Sequence, residues 1–408
     1  MVYVRPFKAI RPAEEKAEQV AALPYDVVNS KEAKELAADN PYSFFHIDKA
    51  EIDLPEDISP YDPQVYQKAA DHLADFLQQG WLKKETTECY YLYELTMNGR
   101  SQTGLTACTS IDDYTAGKIK KHEFTRPEKE IDRINHIKAC DANTSPIFLS
   151  YRSNDLIQRL MDDWKATHKA VYQFTSFHDV THKVWVMDDP AVIQQLQQAF
   201  DQVDALYIAD GHHRTESAVK VGLEKRKNGQ ESPESSRFLS IIFPDEELAI
   251  WEYNRVLKIA PPANFWEGLA KHYQVEKSGV KTPAAAGQVQ LYDGNAWYTL
   301  TIKPESVSDD PVERLDVALL QRYVFDQLFG IKDIRTDKRI DFVGGIRGTA
   351  ELEKLVDSGE WTLAFSMYPT AMSDLLSVAD AGKIMPPKST WFEPKLLSGL
   401  FLHDLETT

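Results

Sequence analysis

Only 3 of the 408 residues are cysteine, and Cys89, Cys108 and Cys140 are unevenly spaced. That scarcity excludes a disulfide framework or a cysteine-rich zinc site and points to reduced thiols in a cytoplasmic protein. Basic residues are also scarce: 46 Lys and Arg face 63 Asp and Glu, for a net charge of −17. Such a balance argues against a protein that coats nucleic acid or an anionic membrane, because both demand positive surface. Apolar runs such as residues 238–243 fall far short of the ~18 residues a membrane helix needs. The first residues become charged at once, unlike a signal peptide. A soluble, intracellular protein is expected. Neither Gly-x-Gly-x-x-Gly nor Gly-x-x-x-x-Gly-Lys-Ser/Thr occurs, which removes two common nucleotide loops.

What remains is ordinary globular material, 43% hydrophobic and 27% charged, long enough for two or three domains. Residues 64–80 place Val65, Ala69, His72, Leu73, Phe76 and Leu77 on one helical face and stop at Gly80. Residues 89–96 and 102–111 flank Asn98-Gly99, a strong hairpin signal. Further hairpins are expected over 170–187 and over 289–302, and a long helix over 312–329. Three hairpins predict an α+β fold with mixed, partly antiparallel sheets and flanking helices. Composition places cuts near 150 and 260, giving regions 1–150, 151–260 and 261–408. The aromatics read as strand-face packing, with no interleaved basic residues to make a base-stacking platform.

The most informative stretch is an apolar strand, 206–209, followed by Asp210-Gly211-His212-His213-Arg214-Thr215 and a helix starting near Thr215. Gly211 permits a tight turn. A strand–Gly–helix junction aims free N–H groups and the positive end of a helix dipole at whatever lies above it. His212, His213 and Arg214 would suit it to a phosphate or carboxylate. The plainer alternative is that Asp210 or Thr215 merely caps the helix. Metal binding by the adjacent histidines is a weaker third, since they lack the i, i+4 spacing that converges two imidazoles.

Asp210-Gly211-His212-His213-Arg214 resembles the phosphate loop of the ParB/sulfiredoxin-like nucleotide-binding folds, including their free-serine kinases. The whole chain is similar to the domain-of-unknown-function family 1015. That similarity runs through Arg5-Pro6-Phe7, Pro24-Tyr25-Asp26-Val27-Val28, His122-Glu123-x-Thr125, Asp132-Arg133 and Ser145-Pro146-Ile147-Phe148. It ends in Met385-Pro386-Pro387-Lys388-Ser389-Thr390-x-Phe392-x-Pro394-Lys395. Leu23 stands where the family usually has proline, and Asn254 where it often has histidine. The resemblance implies a ParB/sulfiredoxin-like nucleotide-binding core. It also implies ATP (or ADP) with Mg²⁺, and transfer of a phosphoryl group to a small hydroxylated metabolite, free L-serine by analogy. A nucleotide-binding regulatory protein without turnover, or a phosphatase acting on a compound such as phosphoserine, are the other readings.

On charge pattern alone, residues 120–133 read as a solvated loop; the resemblance reverses that preference. Phosphoryl transfer to a hydroxyl needs a carboxylate for the proton, metal ligands and cations. Glu123 is then expected as base or hydroxyl orienter and Asp132 as an ion-pairing or metal-proximal group, with the roles exchangeable and His122 beside them. Lys121, Arg126 and Arg133 supply cations. The two prolines before Lys388, Ser389 and Thr390 stiffen a turn that could clamp a phosphate or substrate carboxylate, or simply dock the chain end through its aromatics. Tyr25 and Asp26 are cleft-wall candidates that packing and capping explain as readily. Arg347, in a glycine-rich turn, could add an anion contact. No metal ligands and no oligomeric state are assigned.

Overall fold

In the computed structural model Asn98 and Gly99, at φ of 53° and 76°, turn the chain between antiparallel strands Tyr90–Met97 and Arg100–Ser110. The structure describes residues 1–406. It resolves into two units: Met1–Leu248 joined by the chain from Pro394 onward, and Ala249–Glu393.

The hairpin lies inside a mixed sheet that forms the first unit. Its order is Ile119–Lys120, Leu206–Asp210, Ile147–Tyr151, Arg237–Pro244, Arg100–Ser110, Tyr90–Met97, Val180–Met187 and Tyr172–Ser176, with Val4–Arg5 also paired to Arg100–Ser110. Ile147–Tyr151 runs parallel to Arg237–Pro244 but antiparallel to Leu206–Asp210. Leu92, Leu105, Ile147 and Ile208 pack with Ile157, Met161 and Trp164 of helix Asp155–Thr167 and with Leu196 and Phe200 of helix Pro190–Phe200. A second core gathers Phe44, Phe45, Ile47, Leu73 and Phe76. Helix Pro63–Gln78 buries Val65, Ala69, Leu73 and Phe76, starts on an Asp62 cap with Pro63 in its first turn, and stops before Gly80 at φ 69°.

The second unit is an antiparallel sheet ordered Tyr273–Ser278, Trp297–Ile302, Gln288–Tyr292, Leu363–Met367, Tyr253–Leu257 and Ile340–Gly344. The fold is therefore α+β with mixed, partly antiparallel sheets. Among the described residues, no helix is long and apolar enough to cross a membrane.

Two expectations need correcting. A cut at 150 would fall inside strand Ile147–Tyr151, hydrogen-bonded on both sides within one sheet; the boundary placed near 260 lies at Ala249, and the chain after Glu393 returns to the first unit. The helix expected over 312–329 begins at Asp316, whose carboxylate is 3.0 Å from the Gly287 N–H, and passes through a π-helical stretch, Gln321–Asp326.

Candidate functional site

Strand Leu206–Asp210 ends at the loop and helix His212–Lys227 starts at once, one turn earlier than the sequence pattern places it. Gly211 is the N-cap, left-handed at φ 92°, and no side chain caps the helix. The first-turn N–H groups lack intrahelical acceptors, so the capping alternative fails for this end: the Asp210 carboxylate takes the Gly211 N–H (2.9 Å) and the Thr215 hydroxyl turns back to the Gly211 carbonyl (3.0 Å).

Arg214 folds beneath the turn. Its Nη1 donates to the Pro146 carbonyl at 2.6 Å, and its Nη2 lies 3.8 Å from Asp26 and 3.7 Å from Asp210. Lys395, from the returning C-terminal segment, sits 3.5 Å from Asp210. Burial alone would raise the Asp210 carboxyl, but Lys395 and Arg214, with His212 and the Gly211 N–H, hold it well below the usual range.

The segment before helix Pro127–Cys140 is tied to the loop through both histidines. The His122 N–H approaches His212 Nε2 at 3.4 Å and the Arg126 N–H donates to His213 Nε2 at 3.0 Å. Each imidazole thus accepts at Nε2, which leaves Nδ1 as the nitrogen that carries its proton. Burial pushes His122 down to about 4 and lowers His212 and His213 as well, so all three are neutral near pH 7. Ligand atoms of His122, Glu123 and His212 lie within 4.8 Å of one another. Glu123 therefore stands beside the start of the helix.

Asp132 and Arg133 face a different neighbourhood. Arg133 Nε donates to Asp132 Oδ2 at 2.9 Å, with Nη2 also 2.9 Å from that oxygen, and the Tyr66 hydroxyl donates to Oδ1 at 3.0 Å. The Arg133 guanidinium stacks 3.8 Å from the Tyr25 ring centre and lies 4.0 Å from Asp48. Burial works against its charge, but Asp132, Tyr25 and Asp48 carry its pKa above the ordinary value. Burial raises the Tyr25 phenol, so it stays protonated. Both Asp132 oxygens thus have partners, Arg133 on one and Tyr66 on the other.

These groups line a cavity of about 410 Å³ walled by the 25–30 segment, Asp48–Glu51, Tyr61, Val65, Tyr66, Lys129, Asp132, Arg133 and His136. A smaller cavity, about 20 Å³, shares Arg133 and His136 and reaches Arg214. Of the residues singled out in the sequence, Tyr25, Asp26, Asp132 and Arg133 meet here, and Asp26 connects them to the loop. Tyr66, Asp48, Lys49 and Glu51 were not singled out; they come from separate short segments with no shared motif.

Lys388, Ser389 and Thr390 belong to the second unit. There the Ser389 hydroxyl donates to the Pro386 carbonyl (2.6 Å), and Lys388 holds φ 58° with its ammonium 5.3 Å from the Tyr253 ring centre.

The site thus joins an uncapped helix start, with Arg214 and Lys395 beside Asp210, to a cavity lined by both acidic and basic side chains. Residues 4–318 match the model of the family described as "Protein of unknown function (DUF1015)", and the chain belongs to that family. No curated protein matches it in sequence. Among solved structures, a conserved hypothetical protein from Pyrococcus furiosus is similar at 16% identity and TM-score 0.36, over 74% of this chain and 96% of its own. A free serine kinase in complex with AMP is similar at 13% identity and TM-score 0.35, over 70% and 86%. SbnI from Staphylococcus aureus, truncated at its C-terminus, is similar at 12% identity and TM-score 0.37, over 72% and 85%.

Proposed function

We propose that the 210–215 loop holds the phosphates of ATP or ADP and that a phosphoryl group passes to a small hydroxylated metabolite, most economically free L-serine. The observation that carries this reading is the uncapped start of helix His212–Lys227, with Arg214 beneath it and Glu123 beside His212. First-turn N–H groups and Arg214 receive phosphate oxygens, and the neutral imidazoles donate from Nδ1. Glu123 accepts or orients the substrate hydroxyl proton. A cavity lined by Asp26, Asp48 and Glu51 as well as Lys49, Lys129 and Arg133 suits a zwitterion, whose ammonium and carboxylate need opposite partners. Asp26 and Asp210, 3.8 and 3.7 Å from Arg214 Nη2, have the hard oxygen donors Mg²⁺ prefers. When bound there, the ion supplies charge neutralisation on the phosphates. Most of the rate enhancement then rests on positioning.

The His122–Glu123–His212 grouping favours one second reading, hydrolysis of a phosphorylated metabolite, because it offers the metal-binding donors such a reaction needs. Incubation with ATP or ADP, Mg²⁺ and an amino-acid pool separates the two. Serine-dependent consumption of nucleotide supports the kinase; phosphate release from phosphoserine without nucleotide supports the hydrolase. Glu123→Gln and Arg214→Lys are expected to abolish turnover, and full activity in either removes that residue from the mechanism.

A further inference from the structure

Three residues outside the phosphate site converge on one point. His46 lies in helix Phe45–Asp48, Asp53 ends the 3₁₀ turn Ala50–Asp53, and His72 sits on helix Pro63–Gln78. His46 Nδ1 is 2.7 Å from Asp53 Oδ2, and His72 Nε2 is 3.0 Å from the same oxygen. His46 Nε2 lies 3.1 Å from the Asn40 carbonyl, which can only accept, so that nitrogen donates there; Nδ1, hydrogen-bonded to Asp53 Oδ2 in this structure, is the nitrogen free to lose its proton to an incoming ion. A ring N–H donated to a backbone carbonyl is the outer contact that orients a metal-binding histidine. The His72 ring is not aligned to donate to Asp53, and among the described residues its buried Nε2 has no hydrogen-bond partner. Two imidazole nitrogens therefore face one carboxylate oxygen, and only the His46 contact has the geometry of a hydrogen bond.

We propose that His46, Asp53 and His72 bind a divalent transition-metal ion of the zinc class. Two imidazoles and a carboxylate are a borderline-soft donor set that suits zinc, cobalt or nickel better than magnesium or calcium. Ligands of a tetrahedral zinc ion lie roughly 3.3 Å apart, so the present spacings need only small side-chain rotations. The half-exposed Asp53 leaves room for water in the remaining position. Asp48–Glu51 and Val65–Tyr66, on the same three elements, wall the cleft; the ion braces that wall from outside. The net charge of −17 favours cation uptake at any formed site. The assignment does not depend on the phosphoryl-transfer reading.

The test uses the full chain, stripped with chelator and titrated with Zn²⁺ by calorimetry, with Co²⁺ absorption as an optical probe. Saturable binding is expected. His46→Gln/His72→Gln should lose one equivalent, or weaken that equivalent by more than about 100-fold, and lose the Zn²⁺-dependent rise in melting temperature. Asp53→Asn, nearly the same size, repeats the test should the double variant fail to fold. Absence of saturable binding overturns the proposal. So does binding unchanged in both variants, which would move the ion to His122–Glu123–His212 or Cys108–Glu234–His403.

Discussion

The guanidinium of Arg214 lies directly under Gly211: a Cβ built on Gly211 would stand 3.0 Å from Arg214 Nε and 3.1 Å from its Cζ. The same glycine holds φ 92°. Gly211→Ala must therefore strain the left-handed backbone, at about 1–2 kcal/mol, and also press the Arg214 guanidinium out of its present place under the turn. Chemical denaturation should show that modest loss, while ADP binding by calorimetry should fall far more. Equal losses in both would mean that the turn serves folding alone.

Asp132 receives Arg133 on one oxygen and Tyr66 on the other. Asp132→Asn leaves a buried guanidinium without its main counter-charge, a change that costs about 3–5 kcal/mol in comparable sites. Tyr66→Phe removes one hydrogen bond to a charged group, about 1.5–3 kcal/mol. Urea unfolding of the two variants should rank them in that order. A chemical base at Asp132 would instead give Asp132→Asn a stable fold and a dead enzyme.

What the sequence made legible was local. Asn98-Gly99 announces its hairpin because the turn demands positive φ at both residues, and the apolar strand before Gly211 announces the strand–helix junction. The helix start was misplaced because His212, His213 and Arg214 are not capping residues, and a helix that begins on a bare glycine leaves no polar cap to read. The cavity was half visible. Tyr25, Asp26, Asp132 and Arg133 are conspicuous in sequence, but Asp48, Glu51 and Tyr66 join them only through packing between short segments. The discontinuous first unit was invisible, since strands continue on both sides of Ala249 and nothing before Pro394 marks the chain's return.

Buried imidazoles are expected to weaken the fold as pH falls. Burial drives His122 down to about 4 and His182 to about 3, whereas an unfolded histidine titrates near 6.5. Below pH 6.5 the unfolded chain takes up protons that the native chain does not. Their contribution is therefore complete above pH 6.5 and lost as pH falls toward 4, with a slope of about 1.4 kcal/mol per pH unit for each such histidine. Asp210, held low, matters only below the ordinary carboxylate range. Denaturant midpoints at pH 7, 5.5 and 4.5 should fall in step. His182→Gln, in a pocket formed by Tyr93 and Ser176, should flatten that slope by one proton, and a pH-independent midpoint would contradict the burial argument.

Lys388 separates packing from recognition in the second unit. It is a non-glycine residue at φ 58°, its carbonyl accepts from Arg255 Nη2 at 2.9 Å, and its ammonium lies 5.3 Å from the Tyr253 ring centre. Lys388→Gly relieves a left-handed backbone worth about 1–2 kcal/mol. It forfeits a cation–π contact of about 0.5–1 kcal/mol and adds unfolded-state freedom of about 0.5–1 kcal/mol. These terms nearly cancel, so the melting temperature should hardly move, and the backbone carbonyl that Arg255 uses survives the change. Should the ammonium meet a phosphate or substrate carboxylate, the lost charge-assisted contact should raise KM about tenfold or more with the fold intact. An unchanged KM would leave Lys388 as a turn residue.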